Sequence, residues 1–240
     1  MATLASRMRD DPQPSELGLL AKETLGDRVA AELRFLLIAG RLVPGEKLSL
    51  RNVADAVGVS MMPVREAVSR LAADGALEVL PGRAVRVPVL TLGQFRELTR
   101  IRRVVEGFAV EEAARNATAE QLERIAHFER VFREASDSAL PDFVAAVAAN
   151  RDLHFAIYEA AGMPTLVEMI ERLWLKAGPI LYLDMRYEPQ RLKGGSAMRA
   201  HAALLEALRA KNAAAALAAL HADIDAAARH IEQTGRLRAG

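Results

Sequence analysis

The chain has 240 residues, 51% of them hydrophobic, no cysteine and a formal net charge of +1. That length exceeds one small nucleic-acid-binding module and accommodates two domains, each with its own core. The lack of cysteine excludes disulfides, thiolate nucleophiles and cysteine-ligated zinc or iron–sulfur sites, and suits a cytosolic protein.

In chain order, the first residues, MATLASRMRDDPQPSELG, lack the apolar core of a signal peptide. Residues 1–22 therefore read as a disordered leader. No run of about 20 uncharged apolar residues follows that would span a membrane, so the expected location is the cytoplasm. Leu25, Val29, Leu33 and Leu36/Leu37 lie on one helical stripe over residues 25–39. Gly40 ends that helix, and Leu42-Val43-Pro44-Gly45 is a turn. A second short helix is predicted over 49–57, with Val53, Ala54 and Val57 inward. Gly58-Val59-Ser60 is a tight turn with Ser60 as N-cap, and a third helix spans 61–74 with Val64, Ala67, Val68 and Leu71 inward. The period then changes. Leu77 and Val79, then Val85 and Val87, flank Pro81-Gly82 as two short strands. Helix, short helix, turn, helix and hairpin make a winged helix-turn-helix over residues 23–88.

Pro88 breaks the chain, and residues 89–240 read as a separate all-helical domain. Its helices are predicted near 92–116, 119–137, 141–161, 164–187, 196–211 and 213–234. Thr118 and Gln121 form a capping box, Pro141 suits a first helical turn, Pro179 should kink or split its segment, and Gly194-Gly195 marks a loop. The fold class is thus mostly α: a winged helix-turn-helix with a small β-hairpin, then an antiparallel helical bundle.

A recognition helix must expose side chains that reach base edges and phosphates in the major groove. Ser60, Met62, Pro63, Arg65 and Ser69 lie on or near the outer, N-terminal part of the third helix, and Arg51 opens the one before it. Arg65 matches a guanine edge, whereas Arg70 suits a phosphate. Gly82 and Arg83 sit at the wing tip, where an arginine can enter the minor groove. Residues 24–88 carry nine Lys/Arg against seven Asp/Glu, while 89–240 carry twenty of each. The small positive surplus therefore lies with the DNA-reading segment.

The stretch GRLVPGEKLSLRNVADAVGVSMMPVREAVSRLAADGALE resembles the signature of the GntR family of bacterial transcriptional regulators. The resemblance is carried by Pro44-Gly45, Gly58-Val59-Ser60, Pro63-Val64-Arg65-Glu66-Ala67 and the Leu71…Gly75 exit. It implies DNA contacts from Arg51, Ser60, Met62, Pro63, Arg65 and Gly82. Met61 and Met62 stand where the family commonly has arginine and threonine, which implies apolar contact and fewer direct hydrogen bonds to bases.

Residues 92–234 resemble the FCD type of effector domain through Arg102…Glu106, Leu153-His154 with Ala160-Ala161-Gly162, and His201-x-x-Leu-Leu-x-Ala-Leu. That resemblance implies a small organic acid effector held inside the bundle, often through a metal. The residues themselves support a site there. Asn150 and His154 are one turn apart on a helix whose other inward positions are Phe143, Val147 and Ile157. His201 shares a face with Leu204, Leu205 and Leu208. Two inward histidines on separate helices are what a bundle metal site uses. Periodicity does not choose between Asp223 and His221 as the last ligand; the ungapped match to the family places Asp223 there. The expected set is Asn150, His154, His201 and Asp223, suited to Zn²⁺, Ni²⁺ or Mn²⁺, with the neutral Asn150 lowering affinity. The same residues without metal would hold the effector directly, and Arg102 matches a position that pairs with an effector carboxylate. Trp174 and Tyr182 are either pocket wall or core.

The expected function is a homodimeric repressor or activator whose affinity for double-stranded operator DNA changes when a small carboxylate effector binds. Two other readings compete with it. A metal-dependent hydrolase or lyase in the bundle lacks any general-base constellation beyond the ligands themselves. An architectural DNA binder with an inert bundle would respond to no ligand.

Overall fold

The structure, a computed structural model, describes residues 24–137, 142–187 and 195–238. The expected leader, Pro141 and Gly194 lie outside the described residues.

The head begins with α1 (Leu25–Ile38), which starts at a capping box: Asp27 N–H donates to Thr24 Oγ1 at 3.1 Å and Thr24 N–H to Asp27 Oδ2 at 2.9 Å. Val29, Leu33 and Leu37 are buried as expected, but Leu25 is 49% exposed. Gly26, not Leu25, carries the buried side of the first turn, where an added β-carbon would meet Glu66 Oε2 at 2.7 Å. A short strand that the sequence pattern did not reveal, β1 (Lys47–Leu48), precedes α2 (Leu50–Val57). Ser49 caps α2, and Gly58 ends it in the left-handed region with φ 70°. Val57, the last residue of α2, is 37% exposed, correcting its inward assignment. The third helix, α3 (Met61–Ala73), buries Val64, Ala67, Val68 and Leu71.

The wing is β2 (Glu78–Val79) and β3 (Val85–Arg86), joined through a 3₁₀ turn at Pro81–Arg83. The strands pair antiparallel, Val79 opposite Val85, and β1 adds to the other edge of β3, giving the order β1-β3-β2. Two residues per strand give little ladder energy. Leu77, Val85 and Val87, each 2% exposed, anchor the sheet onto the three helices instead.

The linker at Leu90–Leu92 is held by the other end of the chain: Arg238 N–H donates to the Leu90 carbonyl at 3.0 Å and Leu92 N–H to the Arg238 carbonyl at 3.2 Å. Beyond it lie α4 (Leu92–Asn116), α5 (Ala119–Asp137), α6 (Phe143–Ala160), α7 (Pro164–Tyr187), α8 (Ser196–Arg209) and α9 (Ala213–Gln233). The Thr118–Gln121 capping box forms as expected. Helix α5 packs on α6, and α9 on α8 and α4, around Val110, Ile125, Leu153, Ile157, Ile170, Leu204, Leu220 and Ile224.

Pro179 does not split its segment; α7 is one continuous helix through it. Interior proline costs about 3 kcal/mol in a helix, and packing on both sides offsets this. Trp174 is buried in the bundle core, whereas Leu175 joins the core of the head and Ile180 a further cluster with Phe95 and Ile231. Helix α7 therefore belongs to both halves of the molecule. No helix among the described residues is long and apolar enough to cross a membrane.

Candidate functional site

Five bundle helices converge on a small cavity of about 60 Å³, lined among others by Arg102 (α4), Asn150 and His154 (α6), Trp174 (α7) and Asp223 (α9). His154 and His201, 2% and 1% exposed, meet Asp223 from two sides. His154 Nε2 lies 3.3 Å from Asp223 Oδ2, and His201 Nε2 lies 3.7 Å from Oδ1. Burial alone would raise the Asp223 carboxyl, but the two imidazoles outweigh it and hold it well below the ordinary carboxylate range.

Asp223 and not His221 therefore completes the cluster. His221 precedes it by two residues, about 200° around the helix. Its Nε2 sits 3.1 Å from the Arg103 carbonyl and its Nδ1 3.2 Å from Arg103 Nη2, beside the Arg103–Asp225 ion pair.

The residues fit a divalent cation on two counts. One ligand atom from each of His154, His201 and Asp223 lies within 4.8 Å of the others, a spacing that ligand bonds of about 2.0–2.2 Å can span. In addition, neither ring nitrogen of His201 has a hydrogen-bond partner among the described residues, although both are buried. Buried imidazole nitrogens are seldom left so unless something else is to occupy them. Asn150, half-buried in the cavity wall one turn before His154, offers a neutral oxygen.

Arg102 is buried, not a surface residue. Its Nε and Nη2 bond Glu106 at 2.6 and 3.2 Å, and its guanidinium lies 5.2 Å from the Trp174 ring centroid. Glu106 takes two of the three guanidinium nitrogens, so Nη1 is the one not committed to that pair. The indole N–H of Trp174 is buried without a hydrogen-bond partner among the described residues. Trp174 is thus both core and cavity wall. Tyr182 is not in that wall; it packs on Phe143 and against Gly40.

Sequence reasoning passed over Tyr158, whose hydroxyl joins Glu106 to His154. Its spacing of four residues from His154 was the available signal.

In the head, Arg51, Ser60, Met62 and Arg65 are exposed, Met62 at 71%, and Pro63 is half-buried. Ser60 occupies the N-cap position of α3 but makes no side-chain capping bond. Gly82 holds φ 79° at the wing tip, and Arg83 follows in the same turn, its side chain outside what the structure describes. Arg70, expected at a phosphate, is instead paired with Asp27 and Glu66. It ties α3 to α1.

Residues 25–87 match the bacterial regulatory proteins of the gntR family, and residues 97–226 match the FCD domain. The chain is 35% identical over 196 residues to the HTH-type transcriptional regulator McbR of Escherichia coli K12, covering 81% of this chain and 87% of that protein. It is 26% identical to the HTH-type transcriptional regulator BphR of Paraburkholderia xenovorans, covering 86% and 84%. The solved structure of E. coli McbR superposes with a TM-score of 0.81, covering 88% of this chain and 98% of that one. A GntR regulator from Rhodococcus sp. RHA1 gives 0.68 at 26% identity, covering 87% and 97%. The expected fold and family stand, and the enzyme reading falls: the chain belongs to the GntR family, with an FCD effector domain, and is a ligand-responsive, DNA-binding transcriptional regulator.

Proposed function

We propose that the chain acts in the cytoplasm as a homodimer, with residues 23–88 reading operator DNA and residues 89–240 binding effector and dimerising. Arg51, Ser60, Met62, Pro63, Arg65, Gly82 and Arg83 form the DNA face. Arg70 is left out of it, because its charge is engaged by Asp27 and Glu66. A small carboxylate effector, assisted by a divalent metal, occupies the bundle cavity and alters operator affinity.

The observation that carries this reading is the convergence of His154, His201 and Asp223, with neither His201 nitrogen hydrogen-bonded among the described residues. With Asn150, these residues would hold Zn²⁺, Ni²⁺ or Mn²⁺, whose positive charge there attracts a carboxylate. The wall adds two donors beside them, the Nη1 of Arg102 that Glu106 does not take and the indole N–H of Trp174. Both donate and neither accepts, which favours an anionic ligand. The small volume favours a short acid.

The route to DNA runs through α7. Trp174 stands in the cavity wall, while the adjacent Leu175 is part of the head core and Gly178 meets the end of α1. A ligand that shifts Trp174 therefore acts on the seat of the head, and two heads on one operator tolerate little change in spacing.

Metal content of untagged protein, measured by inductively coupled plasma mass spectrometry, tests the reading. Near-stoichiometric metal that His154→Ala and His201→Ala both lose is the expected result. Wild-type protein that takes up none of Zn²⁺, Ni²⁺ or Mn²⁺ would overturn the metal assignment and leave Arg102, His154 and His201 as direct effector contacts.

A further inference from the structure

A line of buried groups runs from the cavity wall to the candidate metal ligands and rests on the metal reading above. Arg102, Glu106, Tyr158 and His154 are exposed by 6%, 0%, 0% and 2% respectively. Arg102 and Glu106 are one turn apart on α4, and His154 and Tyr158 are one turn apart on α6. The two turns meet where the Tyr158 hydroxyl reaches Glu106 Oε2 at 2.6 Å and His154 Nδ1 at 3.1 Å.

The direction of these bonds follows from counting protons. The Glu106 carboxylate is held by Arg102 through both of its oxygens and can only accept. Tyr158 has one proton and donates it to Glu106, so its oxygen can only accept from His154. His154 must then carry a hydrogen on Nδ1. That leaves Nε2, 3.3 Å from Asp223 Oδ2, as the ring atom that faces the carboxylate. A hydrogen on Nε2 joins the two atoms when no metal is bound, and a divalent cation takes that hydrogen's place. Among the described residues His201 has no comparable partner on either nitrogen; Phe132 packs against its ring with centroids 4.6 Å apart.

We propose that Tyr158 and Glu106 are positioning residues, which fix His154 in the Nδ1–H tautomer and so present Nε2 to a divalent metal. Metal-bound histidines commonly donate their other N–H to a partner of this kind, and losing that partner typically costs about 10- to 100-fold in metal affinity. Here the partner is a tyrosine whose proton is in turn claimed by a buried carboxylate–guanidinium pair. One histidine is therefore oriented before metal arrives and the other is not.

The test uses full-length protein labelled with ¹⁵N at histidine. Long-range ¹H–¹⁵N spectra read the protonation of each ring nitrogen in wild type, Tyr158→Phe and Glu106→Gln, without metal and with Zn²⁺. Zn²⁺ affinity is measured in parallel by chelator competition. Tyr158→Phe keeps the ring that packs the core, and circular dichroism confirms that the variant is folded. The expected outcome is a wild-type His154 with Nδ1 protonated both without metal and with Zn²⁺, mixed Nδ1 and Nε2 protonation in Tyr158→Phe, and an affinity loss of about 10- to 100-fold. A wild-type His154 protonated on Nε2 alone, or a Tyr158→Phe variant with unchanged tautomer and Zn²⁺ affinity, would overturn the proposal. If wild type binds no metal, the metal reading fails, and the metal-free tautomer still decides the relay.

Discussion

A β-carbon on Gly178 would lie 2.6 Å from the carbonyl oxygen of Leu37, and 2.7 Å from that of Ile38. The helix that walls the bundle cavity thus rests on the last turn of the first head helix, backbone against backbone. In an isolated helix, alanine in place of glycine gains about 0.5–1 kcal/mol. Here the obstructing atoms are main-chain oxygens, which cannot swing aside as a flexible side chain would. Gly178→Ala should therefore destabilise, by about 1–3 kcal/mol as for other overpacked sites. Chemical denaturation gives the sign directly. A stabilised variant would mean that α7 and α1 do not meet in this way in solution, and the α7 route from cavity to operator would go with it.

The two candidate ligands on α9 separate cleanly by substitution. Asp223→Asn removes the carboxylate that both imidazoles face, and should abolish stoichiometric Zn²⁺ binding measured by equilibrium dialysis. His221→Ala removes contacts with Arg103 on another face of the helix and should leave binding intact. The reverse result would place His221 in the site and Asp223 outside it.

Much of this organisation was legible in the sequence, because helical periodicity and caps are local. The Thr118 capping box, the buried stripe of α3 and the wing around Gly82 follow from residue spacing alone. Two of the errors have their cause in tertiary packing. Leu25 fits the stripe of α1, yet Gly26 is what fits under Glu66. Pro179 carries a local penalty that long-range contacts of Trp174, Leu175 and Ile180 outweigh. His154, His201 and Asn150 were readable as inward positions of their helices. Periodicity left Asp223 and His221 open, since both flank the same stripe; the family match chose Asp223, and the neighbouring helices set it beside both imidazoles. Tyr158 was hidden because a tyrosine among Phe155, Ile157 and Ala160 reads as core, and it is fully buried as core would be. Only its hydroxyl partners reveal a polar role.

The DNA face makes a contrast between two arginines about 7.5 Å apart along the axis of α3. Arg65 is exposed and is expected to read a base. Arg65→Ala should weaken operator binding by about 1–3 kcal/mol and relax preference at one position. Arg70 is committed to Asp27 and Glu66. Arg70→Ala should leave the salt dependence of DNA binding unchanged, whereas loss of a phosphate contact lowers the slope by about one. Fluorescence anisotropy across a salt series distinguishes them. A reduced slope in Arg70→Ala would show that the arginine leaves its intramolecular partners to meet DNA.

Asp27 makes the head sensitive to acid. The Thr24 backbone N–H, then the Thr24 hydroxyl and Arg70, lower its carboxyl from 3.8 to about 2. A carboxyl whose folded value is depressed contributes stability above its unfolded value, and that contribution disappears as pH falls through the folded one. The window here runs from about pH 4 down to about pH 2. Asp27→Asn cannot accept the same charge-assisted bonds at any pH. Thermal melts should show wild type more stable than Asp27→Asn above that window, with the gap narrowing as the buffer is taken through it. A gap that stays constant down to its lower edge would mean that the ionised carboxylate is not what holds the start of α1 to α3.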